Sequence, residues 1–176
     1  MRPQTPFSMK AAILAIFPIL LASCAGYGLG GSKPPSLANV RSISVPMFRN
    51  ATLEPRAEAL ATSAVADAFV QDGTYRLADT DGADAVLEGT LKGIKYSTLR
   101  SSRLDSLLAE EQTNEASLDW VLRDAKDPTK VLASGSSQGR SSFFADSNLQ
   151  TARRNALPDA LERAGRNLVS RLSSGF

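Results

Sequence analysis

The one thiol of this chain, Cys24, is its strongest candidate for covalent chemistry, because the sequence contains no histidine. Without histidine the chain lacks the most frequent general base and metal ligand, so Ser–His and Cys–His pairs are impossible. A single cysteine also excludes an internal disulfide and a site built from several thiolates. Glu110 and Glu111 are adjacent in a polar segment, where neighbouring side chains diverge, so they do not form a paired acid and base. The sequence therefore predicts a protein that is not an enzyme and needs no cofactor.

Cys24 ends a segment that has the features of a secretory signal. Arg2 and Lys10 lie in its first ten residues, which contain no acidic residue, and the apolar run 11–22 follows. This run is too short to span a bilayer, which takes about 20 apolar residues. Its end, Leu21-Ala22-Ser23-Cys24, resembles the bacterial lipobox, in which the cysteine carries diacylglycerol and becomes the first residue after cleavage.

Cleavage before Cys24 predicts three parts: a signal peptide (1–23), a lipidated flexible tether (24–38) rich in Gly and Pro, and one domain (39–176). Two or more acyl chains on Cys24 would hold the protein stably on a membrane, where one chain alone is marginal. The next residue, Ala25, is not the aspartate that favours the inner membrane, so the lipobox resemblance implies the outer membrane. The alternative is an ordinary signal peptide with an incidental cysteine.

The charge of the mature part argues against nucleic acid as a partner. The chain has 20 Lys and Arg and 18 Asp and Glu, and the signal peptide contains two of the basic residues, which leaves 18 of each sign. Binding to a phosphate backbone requires a clear cationic excess. Gly26, Gly28 and Gly31 have the spacing of a dinucleotide-binding fingerprint, but they lack the strand before and the helix after that such a site needs. We reject that interpretation.

Hydrophobic periodicity predicts a strand, a helix, three longer strands and a second helix after the tether. In the first strand, Ile43, Val45 and Met47 alternate with two serines and are expected on its buried face. The first helix is expected to end at Gly73, which would be its C-cap. Pro158 fits either the first turn of the last helix or a kink within it. The predicted strands are 40–48, 83–99, 114–124 and 131–144, with a short extended piece at 75–78, and the apolar stripes of the helices cover 57–69 and 157–172.

This order of elements predicts an α+β domain. It would be a two-layer sandwich, with two helices packed on one face of a mixed, mostly antiparallel sheet of about four strands. The polar segment 100–112 is expected to form the tip of a long hairpin. The last strand is rich in Ser and Gly, which suits a sheet face that is either covered by a partner or simply exposed to water. The residues assigned to that polar face are Ser134, Ser136, Gln138, Ser141 and Ser142.

The segments just described resemble the LptE family of lipopolysaccharide-assembly lipoproteins. The resemblance covers nearly the whole mature chain and ends in a helix rich in Ala, Arg and Leu. It implies an outer-membrane lipoprotein that occupies the lumen of the β-barrel LptD, helps the barrel to fold and contacts lipopolysaccharide. The segments that carry it are Cys24-Ala-Gly-Tyr27, Ile43-Ser-Val-Pro-Met-Phe-Arg-Asn50, Ala83-Asp-Ala-Val-Leu-Glu-Gly-Thr-Leu91 and Trp120-Val-Leu-Arg-Asp124.

Lipopolysaccharide carries phosphate groups, which basic side chains bind. Lys92, Lys95, Arg100 and Arg103 follow one another near the predicted hairpin tip and are the candidate contacts. Strict alternation in a strand would turn Lys95 away from Lys92, and solvated surface charge is the ordinary explanation for each of the four. Two other functions stay open: a periplasm-facing structural or docking lipoprotein with no role in lipopolysaccharide transport, and a regulator of an envelope hydrolase.

Overall fold

The computed structural model describes residues 33–100, 110–145 and 148–175. The predicted signal peptide, Cys24 and most of the predicted tether therefore lie outside the described residues, and so does Arg103. Two short 3-10 turns, Pro35–Leu37 and Thr80–Gly82, accompany the regular elements. These elements are β1 (Ser42–Ser44), β2 (Arg49–Asn50), α1 (Ala57–Asp72), β3 (Arg76–Leu77), β4 (Ala85–Arg100), β5 (Glu110–Asp124), β6 (Val131–Ala145) and α2 (Leu149–Ser174).

The strands form one mixed sheet in the order β3-β1-β4-β5-β6, and β2 also pairs with β4. β1 is parallel to both of its neighbours, and β2 is parallel to β4, whereas β4, β5 and β6 are antiparallel. α2 packs over β6 and β5, and α1 packs beside α2. The predicted α+β two-layer sandwich is confirmed, although the described part of the sheet has six strands, two of which are only two residues long.

The first predicted strand, 40–48, is interrupted, so its predicted alternation is wrong. β1 and β2 pair with the same edge of β4, and Pro46, which has no N–H for a ladder, lies in the gap between them. All three residues of β1 are buried, including Ser42 and Ser44, whereas Met47 is 65% exposed. The N–H of Phe48 leaves the sheet and donates to the side chain of a helix residue, Thr62, over 2.9 Å.

Ser42 can be buried because the carboxylate of Asp84 accepts hydrogen bonds from its polar groups. Its Oδ2 accepts hydrogen bonds from the backbone N–H of Arg41 (2.9 Å), from the backbone N–H of Ser42 (3.0 Å) and from the Ser42 hydroxyl (3.1 Å). The two backbone hydrogen bonds are the main reason why the pKa of Asp84 lies below its usual value. This carboxylate therefore ties β1 to the start of β4.

The first helix ends as predicted. Gly73 has the left-handed φ of 72°, and its N–H donates to the Phe69 carbonyl over 3.0 Å. A residue without Cβ adopts this conformation at no steric cost, so the C-cap prediction is confirmed.

The second helix is longer than its apolar stripe indicates. It begins at Leu149, where the side chain of Asn148 accepts from the N–H of Thr151 over 3.1 Å. Pro158 therefore lies inside the helix, and the first-turn interpretation is wrong. The first eight residues escaped the sequence pattern because the buried residues of this helix begin only at Leu157. Because proline has no N–H, the carbonyl of Arg154 loses its helical donor.

The contact between α2 and β6 is made by backbone rather than by large side chains. A Cβ placed on Gly139 would lie 2.0 Å from the Ala160 carbonyl oxygen and 2.3 Å from the Ala164 nitrogen. Nearby, a Cβ on Gly135 would lie 2.7 Å from the ring of Trp120. The helix can therefore rest on this strand only because the strand presents glycine there.

The core between the two layers is continuous with the end of the predicted tether. Leu37 is buried there, and the ammonium group of Lys33 lies 4.4 Å from the ring centre of Tyr75. The Tyr75 hydroxyl in turn donates to the Leu172 carbonyl over 2.7 Å, so it fixes the last turn of α2. Residues 33–38 thus pack against the folded body.

Candidate binding face

The three long strands leave one face of the sheet without a helix, and we call it the open face. Its residues alternate with those that point to the helices, as the register of the two antiparallel pairs requires. The open face consists of Val86, Glu88, Thr90, Lys92, Lys95 and Ser97 in β4, of Thr113, Glu115, Ser117, Asp119, Val121 and Arg123 in β5, and of Ser134, Ser136, Gln138, Arg140, Ser142 and Phe144 in β6.

Lys92 and Lys95 lie on the same face, contrary to the expectation from strict alternation. The pairing of β4 with β5 shifts between Leu91 and Gly93, so one extra residue is inserted at Lys92. Lys92 Nζ lies 3.7 Å from a carboxylate oxygen of Asp119, while Lys95 pairs across the ladder with Glu115. Both partners belong to the open face, so the bulge places the two lysines on the same face of the sheet.

The other two candidate phosphate contacts are Arg100 and Arg103, and the structure describes the side chain of neither. Arg100 is the last residue of β4 and pairs with Glu111. It therefore stands on the same strand as the two lysines, toward the hairpin tip. Arg103 lies outside the described residues.

Oppositely charged side chains are interleaved on the open face. Arg123 Nε lies 3.2 Å from the Glu88 carboxylate, and Arg140 is paired with Glu115. The Arg123–Glu88 pair is partly exposed and contributes little free energy, so a partner's charges can replace it at low cost, whereas the Glu115 carboxylate is mostly buried beneath Arg140. Among the described residues, Lys95 has no carboxylate within ion-pair distance.

A groove of about 820 Å³ crosses the open face where it meets β2. The exposed side chain of Met47 and the guanidinium-bearing Arg49 form one wall, and serines of β6 form the other. Sequence reasoning missed this groove because it depends on the interruption between β1 and β2. Its lining residues are Pro46, Met47, Arg49, Glu88, Gly89, Thr90, Asp119, Trp120, Val121, Ser134, Gly135 and Ser136.

The helix-covered side of β6 contains the serine that the sequence placed wrongly. Ser141 is buried, and its hydroxyl donates to the side-chain oxygen of Asn114. The other four residues are exposed as predicted: Ser134, Ser136, Gln138 and Ser142. Ser141 is small because the first turns of α2 lie above it, and its hydroxyl is also 2.6 Å from the Ala156 carbonyl oxygen.

A polar cluster under the first turns of α2 also escaped sequence reasoning. Gln112 Oε1, Asn114 Nδ2 and Arg153 Nε are buried there without a hydrogen-bond partner among the described residues. The Arg153 guanidinium lies 4.5 Å from the ring centre of Tyr96. Burial is the main reason why the pKa of Tyr96 is raised, and the Glu54 carboxylate adds to the effect.

No helix in the described ranges is both long and apolar enough to cross a membrane. In the same ranges, no three Asp, Glu, Cys or His side chains are placed to hold a metal ion. The open face is a broad polar surface with two lysines on it, and such a surface suits binding rather than bond breaking.

Comparison with known protein families shows which family the chain belongs to. The family model for lipopolysaccharide-assembly LptE proteins matches residues 40–172, which is well over half of the sequence. The chain belongs to the LptE family. This family consists of non-catalytic structural lipoproteins of lipopolysaccharide assembly, so the prediction that the protein is not an enzyme is confirmed. No curated protein matches the chain in sequence.

Solved structures share the fold of this LptE-family chain. CT253 from Chlamydia trachomatis is 9% identical, with a TM-score of 0.51 over 74% of this chain and 94% of that one. XCC0632 from Xanthomonas campestris is 16% identical, with a TM-score of 0.50 over 84% and 94%. Lipoprotein GNA1162 from Neisseria meningitidis is 18% identical, with a TM-score of 0.42 over 65% and 92%. For CT253 and XCC0632, the likeness at these identities concerns the fold alone.

Proposed function

We propose that this LptE-family protein is an outer-membrane lipoprotein that docks inside the β-barrel LptD and contacts lipopolysaccharide during its export. The family match over residues 40–172 is the observation that carries the proposal. The lipobox-like sequence that ends at Cys24 supports a lipid anchor at that thiol, with the signal peptide 1–23 removed. Acyl chains there would keep the folded domain beside the membrane in which the barrel lies.

The open face supports docking against a polar wall. The lumen of a β-barrel is lined by polar side chains, so a protein inside it needs a surface that exchanges water for polar contacts. On the open face the large exposed side chains are mostly charged, with Phe144 as an exposed apolar exception, and half of the β6 residues on it are serines. Its exposed ion pairs, Lys92–Asp119 and Arg123–Glu88, can be replaced by charges of the barrel wall without leaving a buried charge unpaired.

Lys92 and Lys95 support contact with lipopolysaccharide phosphates. The bulge turns Lys92 and Lys95 to the open face, and Arg100 and Arg103 follow them in the sequence. An ammonium group binds a phosphate through charge-assisted hydrogen bonds, which are stronger than neutral ones. Several cations that contact one phosphate therefore bind it more strongly than a single cation does. The four residues are therefore proposed as one phosphate-binding series along β4 and its tip.

Purification from membranes tests the docking part of the proposal. The tagged chain is extracted from native outer membranes in mild detergent, and the co-purifying proteins are quantified. We expect a large β-barrel in equimolar amount, and depletion of the chain should make the outer membrane permeable to large hydrophobic compounds. Recovery of the lipoprotein without a barrel would contradict the proposal and favour a docking lipoprotein outside lipopolysaccharide transport.

Mass spectrometry tests the anchor. The native protein should begin at Cys24 and carry the added mass of its acyl chains, whereas a Cys24→Ser variant should lose both the cleavage and the lipid. An unmodified thiol in the native protein would contradict lipidation.

A charge-reversal pair tests the phosphate contacts. Lys92→Glu with Lys95→Glu should lower the affinity for purified lipopolysaccharide by about tenfold or more, because two ammonium groups are replaced by carboxylates. The matched control is Lys126→Glu with Lys130→Glu, which makes the same charge change in the exposed β5–β6 turn at the opposite end of the strands. Equal losses in both variants would show a general effect of net charge and contradict a local site.

A further inference from the structure

The outer edge of β6 pairs with no strand in the described part of the chain. β6 is the last strand in the sheet order and pairs only with β5 within the described residues. Over its 15 residues it contains no proline, lysine or acidic residue, and its pairing with β5 runs without a shift from Ala133 to Ala145. Proteins commonly block such edges with these residue types or with bulges, because an open edge can pair with another strand.

One hydrogen bond shows which backbone groups face outward. The side-chain nitrogen of Asn167 in α2 donates to the Gln138 carbonyl over 2.7 Å, so this carbonyl points away from β5. In an antiparallel ladder both backbone groups of a residue point to the same side, and the side alternates along the strand. Ser136, Arg140 and Ser142 therefore also turn their N–H and C=O groups to the outer edge.

Two clefts of about 670 and 530 Å³ lie along this edge, between β6 and α2. They meet at Gln138 and Asn167, and we call them together the edge groove. No carboxylate lines either cleft, whereas four guanidinium groups do. Those four belong to Arg140 in β6 and to Arg163, Arg166 and Arg171 in α2.

We infer that the edge groove is a docking site for an extended, acidic segment of another protein, which pairs with β6 as an additional strand. The outward N–H and C=O groups would supply its main-chain hydrogen bonds, as in other cases of strand addition. Alternate side chains of the added strand would point toward α2, where three of the four guanidinium groups lie. Carboxylates at those positions would be paired by charge-assisted hydrogen bonds.

The existing contacts of Arg163 and Arg166 on the α2 side of the groove are easily exchanged, whereas Arg140 is held by Glu115 of the open face. Arg163 and Arg166 have exposed partners one helical turn away, Asp159 and Glu162, and such pairs contribute little free energy. The bond from Asn167 to Gln138 would be replaced by a bond from the added strand. A second copy of this chain is a poorer occupant, because pairing β6 with β6 would bring two sets of four guanidinium groups together.

The test uses the full-length lipoprotein in detergent and a defined peptide. The probe is a blocked ten-residue peptide of alternating Thr and Glu, and its first control has every amide N-methylated, so that neither edge can donate hydrogen bonds to a strand. Binding is followed by the NMR hydrogen exchange of backbone amides. We expect saturable binding of the unmodified peptide, with slower exchange at Ser136, Arg140 and Ser142, and no such protection from the methylated peptide.

Two variants separate the edge groove from general charge. Arg163→Gln with Arg166→Gln should weaken binding by about fivefold at low salt, as the loss of two exposed ion pairs predicts. Arg41→Gln with Arg76→Gln removes the same charge at exposed positions near the opposite edge of the sheet and should leave binding unchanged.

Three outcomes would overturn the inference. They are equal binding of the methylated peptide, no protection of β6 amides at about 1 mM peptide, and protection of the same amides by self-association without peptide. The inference does not rest on barrel docking or lipopolysaccharide contact, since the probe and readout involve neither. Its failure therefore leaves the proposed function untouched.

Discussion

Gly139→Ala should destabilise the domain by separating α2 from the sheet. The added methyl group would lie 2.0 Å from the Ala160 carbonyl oxygen and 2.3 Å from the Ala164 nitrogen. Both are backbone atoms of the helix, so no side-chain rotation relieves the overlap. Overpacking of one methyl group in a core costs about 1–3 kcal/mol, and a rigid neighbour places this change in the upper part of that range.

Part of this cost is offset by the unfolded chain. Alanine loses less conformational freedom than glycine when a strand forms, which is worth about 0.5–1 kcal/mol. The net loss of stability is therefore about 2 kcal/mol. With a urea m-value of about 2 kcal/mol/M for a domain of this size, the unfolding midpoint should fall by about 1 M.

The assay is urea unfolding of the purified chain, followed by circular dichroism. Gly93→Ala is the matched control, because no atom lies within 4 Å of a Cβ at that position of β4. Gly165→Ala should fall between the two, since its nearest contact is 2.9 Å to the Ala64 carbonyl oxygen and alanine favours helices. If Gly139→Ala and Gly93→Ala unfold at the same urea concentration, the backbone contact between α2 and β6 is not present in solution.

Three further changes test individual elements by the same unfolding assay. Pro158→Ala restores a donor for the Arg154 carbonyl and should raise stability by about 1 kcal/mol or more, and a decrease would mean that the proline is needed for packing. Tyr75→Phe removes the hydroxyl that holds the Leu172 carbonyl and should cost about 1 kcal/mol, whereas an unchanged midpoint would mean that water replaces the hydroxyl without loss. Asp84→Ala should cost about 1 kcal/mol at pH 7. Because folding lowers the pKa of this carboxyl, its contribution is present above the unfolded value of about 3.9 and is lost as the pH falls through the lower folded value. The difference between Asp84→Ala and the unaltered chain should therefore shrink from pH 7 to pH 2, and a constant difference would exclude a role of the charge.

The elements that the sequence predicted best are those in which one face alone is buried. In β5 each second residue from Ala116 to Leu122 is apolar and buried, so hydrophobic alternation reports that part of the strand directly. The end of α1 was predicted because Gly73 has the conformation that its residue type favours. Both predictions succeeded because the residue types within each segment determine its structure.

The elements that were missed depend on contacts distant in the sequence. β1 is buried on both faces, because Asp84 and Thr80 supply partners for its serines, so alternation carries no information there. The first turns of α2 lie over a polar cluster and show no apolar stripe. The bulge at Lys92 was signalled only by Gly93, since an isolated glycine within a strand pattern favours a bulge.

The composition of β6 has two separate causes, and only one of them concerns a partner. On the helix side, Gly135 and Gly139 are required by the ring of Trp120 and by the backbone of α2, and the buried Ser137 accepts from the Trp120 Nε1–H over 2.9 Å. Packing within the domain explains those small residues completely. On the open face and at the outer edge, no close packing within the described part of the chain requires small residues. Ser136 and the neighbouring serines are nevertheless small and polar, and β6 contains no proline, lysine or acidic residue that would block its edge. It is therefore these outward positions, rather than the Ser and Gly content of the strand as a whole, that favour a surface shaped to meet another molecule.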